Sequence, residues 1–539
     1  MTKHSISFKS FLAIYITFSL LFHQMPLIDW LTAIVDLSSF SGIYGFLFIE
    51  IINVLLWTIL LSLSFFISPI FGKLLSVILL NINAAAAFWM SELGIILNQE
   101  ILVSIFYTDF SEASGFLNQK FALQQIFLGI LPSVLFGFVT VEPLKRTKVL
   151  LYPALSLVTL VIVCISNPSL TSWLSKNDGH LGARLLPWSY IANSIRYAQD
   201  MNEGYYARYY GDFSTLPDGT MMDSKPGLVV LVIGESARAA NFSYYGYERD
   251  TNKNTRDAGF IAMPKSPACA TSTMITTGCI LSSKGRNDWA HEPTEPLPSY
   301  LHRLGVKTFV RTNNSEMPRL NVGDYKTATQ LSSSCDTRFC LTNHALKCQK
   351  HICIETFYDN MLLADMHLIL EASKSEKVFL LMHLRGSHGP NYADRSPREF
   401  APFKPICDKH VTQCENGSLI NSYDNTIMFT DMTLAWLAEI LQQEKTLSSV
   451  VLYLSDHGES LGEAGAYMHG AKLDEAPIEQ LEIPFLIWMS DAFKESAGAL
   501  NFTNKNVPAQ DAIFHSVLGA FNILGGPYLP DRDIFNDDI

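Results

Sequence analysis

Residues 448–460, SSVVLYLSDHGES, lead from a short apolar run directly into acidic and imidazole side chains. Runs of this kind, rich in β-branched residues and without polar alternation, are typical of strands that are covered on both faces. The same character recurs in GLVVLVIGES at 227–236, KVFLLMHL at 377–384 and EIPFLIWM at 482–489, with helical stretches such as 426–443 between them. The chain after residue 226 is therefore predicted to be an α/β domain built on a mostly parallel sheet.

Three of these runs end in side chains that can bind a metal ion. The carboxyl ends of parallel strands meet at one edge of a sheet, where active sites form. Carboxylates and imidazoles are among the ligands that zinc accepts. A single Asp-His pair is more often a turn or a surface group, so the prediction of a zinc site depends on the coincidence of three such ends in one domain. The candidate residues are Glu235, His383, His388, Asp456, His457 and His469.

A threonine- and serine-rich stretch, SPACATSTMITTGC at 266–279, is a candidate source of a nucleophile. A hydroxyl is a poor nucleophile until a base or a metal ion lowers its pKa. A disulfide between the two bracketing cysteines would hold the loop rigid, which suits a nucleophile that must stay in register with a metal. An ordinary polar loop is the alternative. Composition does not choose among the three central hydroxyls, which are Thr271, Ser272 and Thr273.

Eight of the nine cysteines lie after residue 260 in closely spaced pairs, whereas Cys164 lies in an apolar run. An even, clustered set beyond a membrane segment is typical of disulfides formed in an oxidising compartment. Zinc sites are the alternative, which the spacings of 10, 5, 5 and 7 residues disfavour because none is a zinc knuckle. We expect nearest neighbours to pair. The eight residues are Cys269, Cys279, Cys335, Cys340, Cys348, Cys353, Cys407 and Cys414.

The N-terminal part of the chain contains five apolar runs that are long enough to cross a bilayer, which takes about 20 residues per helix. No small-residue cleavage site follows the first run, and four more runs come after it, so it is not interpreted as a signal peptide. The predicted spans are 11–28, 43–67, 74–95, 121–141 and 149–166.

Basic residues predict the orientation of these spans. Up to residue 166, all Lys and Arg residues except Lys120 fall before the first span, between the second and third, or between the fourth and fifth, which is one side of the membrane. The residues are Lys3, Lys9, Lys73, Lys145, Arg146 and Lys148. The N-terminus is therefore predicted to be cytoplasmic, and everything after residue 167 is predicted to lie outside, in agreement with the cysteines.

The 539 residues are too many for one compact core and indicate two or three domains. We predict a transmembrane domain at 1–166, a bridging segment at 167–226 and, outside the cytoplasm, an α/β domain with the candidate zinc site at 227–539. The net charge of −12 argues against a nucleic-acid partner, because phosphate backbones are bound by clustered Lys and Arg.

Four stretches closely resemble the bacterial phosphoethanolamine transferases, which modify lipopolysaccharide and include the enzymes responsible for polymyxin resistance. They are VVLVIGESARAANFSYYGYERDTN at 229–252, CATST at 269–273, HLRGSHGP at 383–390 and LSDHGESLGEAGAYMHG at 454–470. The resemblance covers the whole chain. It implies five membrane helices, a bridging segment and an alkaline-phosphatase/sulfatase-like domain in a multi-pass protein of the bacterial inner membrane.

The resemblance also implies roles for matching positions. Glu235, Asp456 and His457 would bind a tight zinc together with Thr273, which would be the nucleophile. The imidazoles of His388 and His469, with His383 nearby, would hold the donor or product phosphate or a second zinc. Phosphatidylethanolamine would donate phosphoethanolamine to Thr273, and lipopolysaccharide would accept it, with polymyxin resistance as the outcome where the acceptor is lipid A.

Donor-binding groups are implied in ILVSIFYTDFSEA at 101–113, where Ser104, Thr108 and Glu112 are spaced to share one face of a helix. Two departures from the family leave the acceptor open between lipid A phosphate, an inner-core sugar and another periplasmic acceptor. The family usually has Asn at the position of Ser104, and RTNNSEMPRLNVGDY at 311–325 lacks the Cys-Lys-Gly stretch of the lipid A enzymes.

Three other functions are weighed. A glycerol-phosphate transferase of the teichoic-acid type would share the fold and the five helices, but GYERDT and the cysteine-bracketed threonines argue against it. A sulfatase would have C-x-P-x-R-like text around its nucleophile. A catalytically dead, membrane-anchored sensor would not need the intact Glu, Thr, Asp and His set.

Overall fold

The chain forms two compact units, of which the first comprises Met1–Ile105 with Leu117–Ala198 and the second contains Gln199–Ile539. The structure is a computed structural model. It describes residues 5–107, 116–142, 145–202, 213–223, 225, 227–286, 294–333, 335, 338–349, 352–497 and 507–536.

The described residues up to 202 are mainly helical, with a π-helical turn at Gln125–Ile130 and two short parallel strands, Ser5–Ile6 (β1) and Thr140–Val141 (β2). The helices are Phe8–Phe22 (α1), Met25–Ile34 (α2), Phe40–Ile67 (α3), Pro69–Leu93 (α4), Gln99–Tyr107 (α5), Gln119–Gln124 (α6), Leu131–Phe138 (α7), Arg146–Ser166 (α8), Pro168–Lys176 (α9), Asp178–Arg184 (α10) and Trp188–Asn202 (α11).

Four uninterrupted helical stretches among the described residues are long and apolar enough to span a membrane: α3, α4, the segment Gln119–Phe138, and α8. The first predicted span, 11–28, is not one straight helix. It breaks after Phe22 into α1 and α2, which are bent by 57° and count as a fifth span only as a pair. Pro26, in the first turn of α2, cannot donate a hydrogen bond back into α1, so the chain starts a new helix there. Hydropathy does not reveal such a break.

The second unit contains fifteen described strands, β3 to β17, and nine helices, α12 to α20. The strands are Thr220–Met221, Gly227–Gly234, Ile261–Ala262, Ser266–Pro267, Lys307–Thr312, Asp324–Thr327, Thr342–Gln349, Ile352–Phe357, Lys377–His383, Ser449–Ser455, Ser460–Leu461, Tyr467–Met468, Glu482–Ile483, Phe485–Met489 and Ile523–Leu524. The helices are Lys253–Asp257, Thr273–Leu281, Leu297–Arg303, Ala328–Ser332, Met366–Ser373, Asn416–Gln442, Ile478–Leu481, Asp491–Ala497 and Ala509–Ala520.

A seven-stranded sheet with the order β5-β16-β12-β4-β11-β7-β8 organises this unit. The five strands from β12 to β8 run parallel, whereas β16 and β5 are antiparallel to their neighbours. The mostly parallel sheet predicted from the apolar runs is therefore confirmed. The register places His383 of β11 opposite Ile233 of β4, and Ser455 of β12 opposite Gly234. The polar residues that follow these strands consequently emerge at one edge of the sheet.

Both faces of the central strand β4 are buried, which explains its unbroken apolar sequence. Val229, Leu231 and Ile233 pack into one large apolar core with residues of α13, α14 and α20. The alternate residues Leu228 and Val230 are equally buried on the opposite face. At about 25 cal/mol for each Å² of apolar surface removed from water, this burial is the main stabilising contribution, and it holds the polar strand ends on a rigid base.

The structure confirms disulfides between nearest neighbours. Bonds join Cys269 to Cys279, Cys335 to Cys340, and Cys407 to Cys414. In the fourth predicted pair, the backbones of Cys348 and Cys353 face each other across the β9–β10 hairpin, and their side chains lie outside the described part of the chain. The Cys164 thiol remains free.

Candidate active site

Two carboxylates meet at the ends of β4 and β12. The Asp456 amide donates a hydrogen bond to the Gly234 carbonyl at 3.0 Å, which continues the pairing of the two strands past their last residues. The Ser236 amide in turn donates to Oδ1 of Asp456 at 3.0 Å, and the Ser236 hydroxyl donates to Oε1 of Glu235 at 2.8 Å. Glu235 and Asp456 are thus held side by side by their own strands.

Thr273 is the hydroxyl that faces these carboxylates. It is the first residue of α13, and its Oγ1 lies 3.2 and 3.1 Å from the two carboxylate oxygens of Glu235. The same oxygen lies 3.3 Å from Nε2 of His457. Thr271 points elsewhere, since its hydroxyl donates to the Ala471 carbonyl. The structure therefore places the Thr273 hydroxyl, and not that of Thr271, against the carboxylate of Glu235.

His457 presents a defined nitrogen to the cluster. Its Nδ1 lies 2.8 Å from the Gly458 carbonyl and must carry the proton to donate there. The lone pair is then on Nε2, which lies 3.5 Å from Glu235 and 3.3 Å from Asp456. Burial lowers the pKa of His457, which keeps the ring neutral. A neutral imidazole fixed by a backbone carbonyl is the usual arrangement of a histidine that binds a metal.

The negative charges of Glu235 and Asp456 are not balanced by positive side chains among the described residues. Glu235 and Asp456 are fully buried, and burial together with Asp456 raises the pKa of Glu235. Within the described residues, the ion pairs of both carboxylates involve only the neutral His457. Oδ2 of Asp456 is buried and has no hydrogen-bond partner in that part of the chain. Since buried charges require a counter-charge, these donors fit a divalent cation.

His469 adds a further possible ligand. One ligand atom from each of Glu235, His457 and His469 can be chosen so that all three lie within 4.8 Å of one another. The ring of His469 is 4.2 Å from that of His457 and 5.2 Å from that of His388. Its Nδ1 lies 2.7 Å from the buried carboxylate of Glu459. The Glu459 carboxylate thus fixes the orientation of the His469 ring through its Nδ1 nitrogen.

The remaining two histidines come from β11 and the loop after it. Nδ1 of His388 lies 2.7 Å from the Gly389 carbonyl, which places its lone pair on Nε2. His383 is fully buried, and both of its ring nitrogens lack a hydrogen-bond partner among the described residues. Burial lowers the pKa of His383 to about 4, and the nearby Asp456 opposes that effect. The structure therefore brings all four predicted imidazoles to this edge of the sheet.

A tight loop after β11 carries His388 to the cluster. Asp359 accepts hydrogen bonds from the amides of Arg385 and Gly386 at 2.9 and 2.8 Å. Gly386 has φ of +47°, and a Cβ there would lie 2.7 Å from the Glu235 carbonyl oxygen. Only glycine accommodates both the left-handed backbone and this close approach. The loop can thus rest directly on the backbone of Glu235.

Sequence reasoning missed two residues of the cluster. Asn314 donates from Nδ2 to Oε2 of Glu235 at 2.8 Å, and Glu459 orients His469. Asn314 follows β7, a fourth parallel strand, whose carboxyl end reaches the same edge of the sheet. A search for polar residues at the carboxyl ends of parallel strands would therefore also have found Asn314. Glu459 stands within the quoted SDHGES run, but no spacing indicates that it faces His469.

The predicted donor-binding residues are not tested by these contacts. Ser104 lies in α5, and its side chain is outside the described residues, as are Thr108 and Glu112 altogether.

Comparison with known proteins matches both parts of the chain. Residues 228–523 fit the profile of the sulfatase family, and residues 54–201 fit the profile described as phosphoethanolamine transferase EptA/EptB. Phosphoethanolamine transferase EptA of Helicobacter pylori is 32% identical, over 84% of this chain and 83% of its own length. Phosphatidylethanolamine transferase Mcr-1 of Escherichia coli is 30% identical, over 89% of this chain and 88% of its own length.

A solved structure agrees over nearly the full length. The integral membrane protein lipooligosaccharide phosphoethanolamine transferase A of Neisseria meningitidis superposes with a TM-score of 0.84 and 25% identity, covering 98% of each chain. Membrane helices followed by a sulfatase-like α/β domain, the fold class expected from the sequence, are thereby confirmed. The chain belongs to the family of the phosphoethanolamine transferases.

Proposed function

We propose that this protein transfers phosphoethanolamine from phosphatidylethanolamine to lipopolysaccharide through a covalent intermediate on Thr273. The observation that carries the proposal is the position of the Thr273 hydroxyl, 3.1–3.3 Å from Glu235 and His457, at the N-terminus of α13. A buried hydroxyl held against a carboxylate and a neutral imidazole suits a nucleophile activated by a metal ion.

Zinc is the proposed cofactor. Glu235, Thr273, Asp456 and His457 would hold one tightly bound ion, with a second in reach of His388 and His469, near His383. Zinc bound there would lower the pKa of the threonine hydroxyl and offset charge on the phosphoryl oxygens. The support is the surplus of buried negative charge and the unpaired Oδ2 of Asp456.

The chain's own groups then account for the two transfers. Oγ1 of Thr273 attacks the phosphorus of the donor, and diacylglycerol leaves with the electron pair of the broken P–O bond. Amide groups in the first turn of α13 would donate to the phosphoryl oxygens, as at other helix N-termini that bind phosphate. His469, whose Nδ1 faces the Glu459 carboxylate, would bind the phosphoryl group and give a proton to the leaving oxygen, whereas the Nε2 lone pair of His388 would serve a second zinc ion. An acceptor oxygen next attacks the same phosphorus and releases Thr273.

The setting we propose is the bacterial inner membrane, with a cytoplasmic N-terminus and a periplasmic catalytic domain. Disulfides between Cys269 and Cys279, Cys335 and Cys340, and Cys407 and Cys414 are consistent with an oxidising compartment. We further propose that Ser104, Thr108 and Glu112 bind the donor headgroup, with Glu112 facing its ammonium. Resistance to polymyxin would follow if the acceptor is a lipid A phosphate, because the added amine reduces the negative surface charge.

The test is turnover of a fluorescent phosphatidylethanolamine by the purified full-length protein. Zinc-loaded protein should release diacylglycerol and hold at least one tight zinc. Asp456→Ala should lose zinc and turnover together, while His469→Ala should lose turnover with less loss of zinc. Equal zinc content in the wild type and both variants would contradict the proposed site. Mass spectrometry of lipid A and core from cells with and without the protein would identify the acceptor.

A further inference from the structure

A buried tyrosine on the long helix α17 (Asn416–Gln442) bonds to the backbone that directly follows Glu235, a proposed zinc ligand. We propose that Tyr423 is a positioning residue that sets the zinc affinity of the first site, acting through Ser236. The inference rests on the proposed function, since it concerns the ion that Glu235 and Asp456 would hold.

Ser236 is the residue through which both carboxylates are placed. Its amide donates to Oδ1 of Asp456 at 3.0 Å, and its hydroxyl donates to Oε1 of Glu235 at 2.8 Å. Its φ of +54° lies in the left-handed region, which a residue with a Cβ adopts only at a cost of about 1 kcal/mol or more. A relaxed Ser236 would therefore move its amide and hydroxyl away from the two carboxylates.

The hydroxyl of Tyr423 holds this backbone on both sides. It donates to the Ser236 carbonyl at 2.7 Å and accepts from the Arg238 amide at 3.0 Å. Tyr423 and Ser236 are both fully buried. Water cannot readily replace the hydroxyl there, so its removal would leave a buried carbonyl and a buried amide without partners, which proteins rarely tolerate. The Tyr423 hydroxyl thus bonds the strained turn on both sides of Ala237, whose own amide donates to the Ser455 hydroxyl at 2.8 Å.

Tyr423 is itself held by packing. The ring of Tyr392 meets it edge-on, with centroids 5.3 Å apart and planes at 88°, and the guanidinium of Arg238 lies 5.5 Å from its centroid. One turn further along α17, the Thr426 hydroxyl donates to the hydroxyl of Ser387 at 2.7 Å. The same helix face therefore supports both the turn after β4 and the loop that carries the neighbouring histidine.

The two tyrosines act on different halves of the site. Tyr392 donates to Oε1 of Glu459 at 2.6 Å, and Oε2 of that carboxylate lies 2.7 Å from Nδ1 of His469. Tyr423 has no part in that chain; its hydroxyl acts on the turn that holds Glu235 and Asp456. Removing each hydroxyl should consequently give separable effects.

The experiment is zinc affinity of the full-length protein in detergent, measured by competition with a chelator of known affinity. Tyr423→Phe should weaken the first zinc about 10- to 100-fold, the range typical when a group that orients metal ligands is lost. Tyr392→Phe should leave that affinity within about threefold of the wild type and impair only the His469 half. The matched control is Tyr453→Phe, because Tyr453 is fully buried in β12 and its hydroxyl has no partner among the described residues.

A second readout separates positioning from general destabilisation. The rise in Tm on adding zinc should shrink in Tyr423→Phe and stay unchanged in Tyr453→Phe. If Tyr423→Phe does not fold without zinc, Ser236→Ala takes its place. It removes the hydroxyl that donates to Glu235 and lies 3.4 Å from Nδ1 of His469. An unchanged zinc affinity in Ser236→Ala would overturn the inference. A wild-type zinc affinity in Tyr423→Phe would overturn the positioning role of Tyr423 but not the proposed function. An equal loss of zinc affinity in Tyr453→Phe would do the same. A wild-type protein without tight zinc would overturn the proposed function as well.

Discussion

Glu235→Gln is expected to stabilise the zinc-free protein while it abolishes tight zinc binding. Glu235 and Asp456 are both fully buried, and the cation that would compensate them is absent once zinc is removed. Glutamine keeps the shape of the side chain and an oxygen that can accept the hydrogen bond from Asn314. The change removes one negative charge, and the amide nitrogen that replaces Oε1 requires the rotatable Ser236 hydroxyl to accept a hydrogen bond instead of donating one.

The size of the effect follows from the separation of the charges. Oxygens of Glu235 and Asp456 lie 3.5 and 3.3 Å from Nε2 of His457, so the two charges cannot be much further apart than the sum of these distances. At an effective dielectric constant of about 20, charges so separated repel each other by roughly 2–3 kcal/mol. Because burial and the neighbouring Asp456 raise the pKa of Glu235, its negative charge opposes folding at pH 8, and we expect its removal to stabilise the zinc-free protein by about 2–3 kcal/mol.

The assay is thermal unfolding of the full-length protein in detergent at pH 8, with and without a chelator. The order of Tm should reverse: Glu235→Gln above the wild type in chelator, and the wild type above Glu235→Gln in zinc. The control is Asp365→Asn, because the Asp365 carboxylate bonds to Arg311 at 2.9 Å and to Lys326 at 2.8 Å. That variant should be less stable in both conditions. A zinc-free Glu235→Gln that melts below the wild type would refute the view that uncompensated charge defines the site.

Three further predictions concern pH, the disulfides and the donor. Burial lowers the pKa of His383 from 6.5 to about 4, so the folded protein binds this proton less readily than the unfolded chain, and its contribution to stability should be lost as pH falls from 6.5 towards 4; the slope should be smaller in His383→Gln. Replacing Cys269 and Cys279 by serine should cost roughly 2–4 kcal/mol and most transfer activity, whereas the same change at Cys335 and Cys340 should spare activity. Whole-cell transfer at matched expression should fall more in Glu112→Ala than in Ser104→Ala, with Ser104→Asn tolerated; a silent Glu112→Ala beside an inactive Ser104→Asn would contradict the donor site.

The sequence predicted the site where an apolar run that forms a buried strand is followed directly by acidic or imidazole side chains. Runs such as 227–234 and 449–455 are apolar because both faces of those strands are buried, so their ends could be placed at one edge of a parallel sheet. The acids and imidazoles that follow them could then be grouped without coordinates. Cysteine spacing predicted three of the observed disulfides for a similarly local reason, since each closes a loop of ten residues or fewer.

Residues that act through tertiary contacts gave no such signal. Tyr423 bonds to Ser236 across 187 residues of sequence, and nothing in the composition of α17 indicates which of its buried polar residues faces the site. Tyr392 lies 67 residues in sequence from Glu459, the carboxylate to which it donates. The break between Phe22 and Met25 was missed because hydropathy measures only the apolar character of a span, and not its continuity.

Peptide mapping determines whether Thr273 carries the transferred group. Zinc-loaded wild-type protein given phosphatidylethanolamine without acceptor should gain one phosphoethanolamine on the peptide that contains residues 271–273, with fragmentation placing it on Thr273. The adduct should disappear when lipopolysaccharide is added, and Thr273→Ala should never form it although it retains zinc. A label on Thr271 or Ser272, or transfer to acceptor by Thr273→Ala at the wild-type rate, would contradict the account.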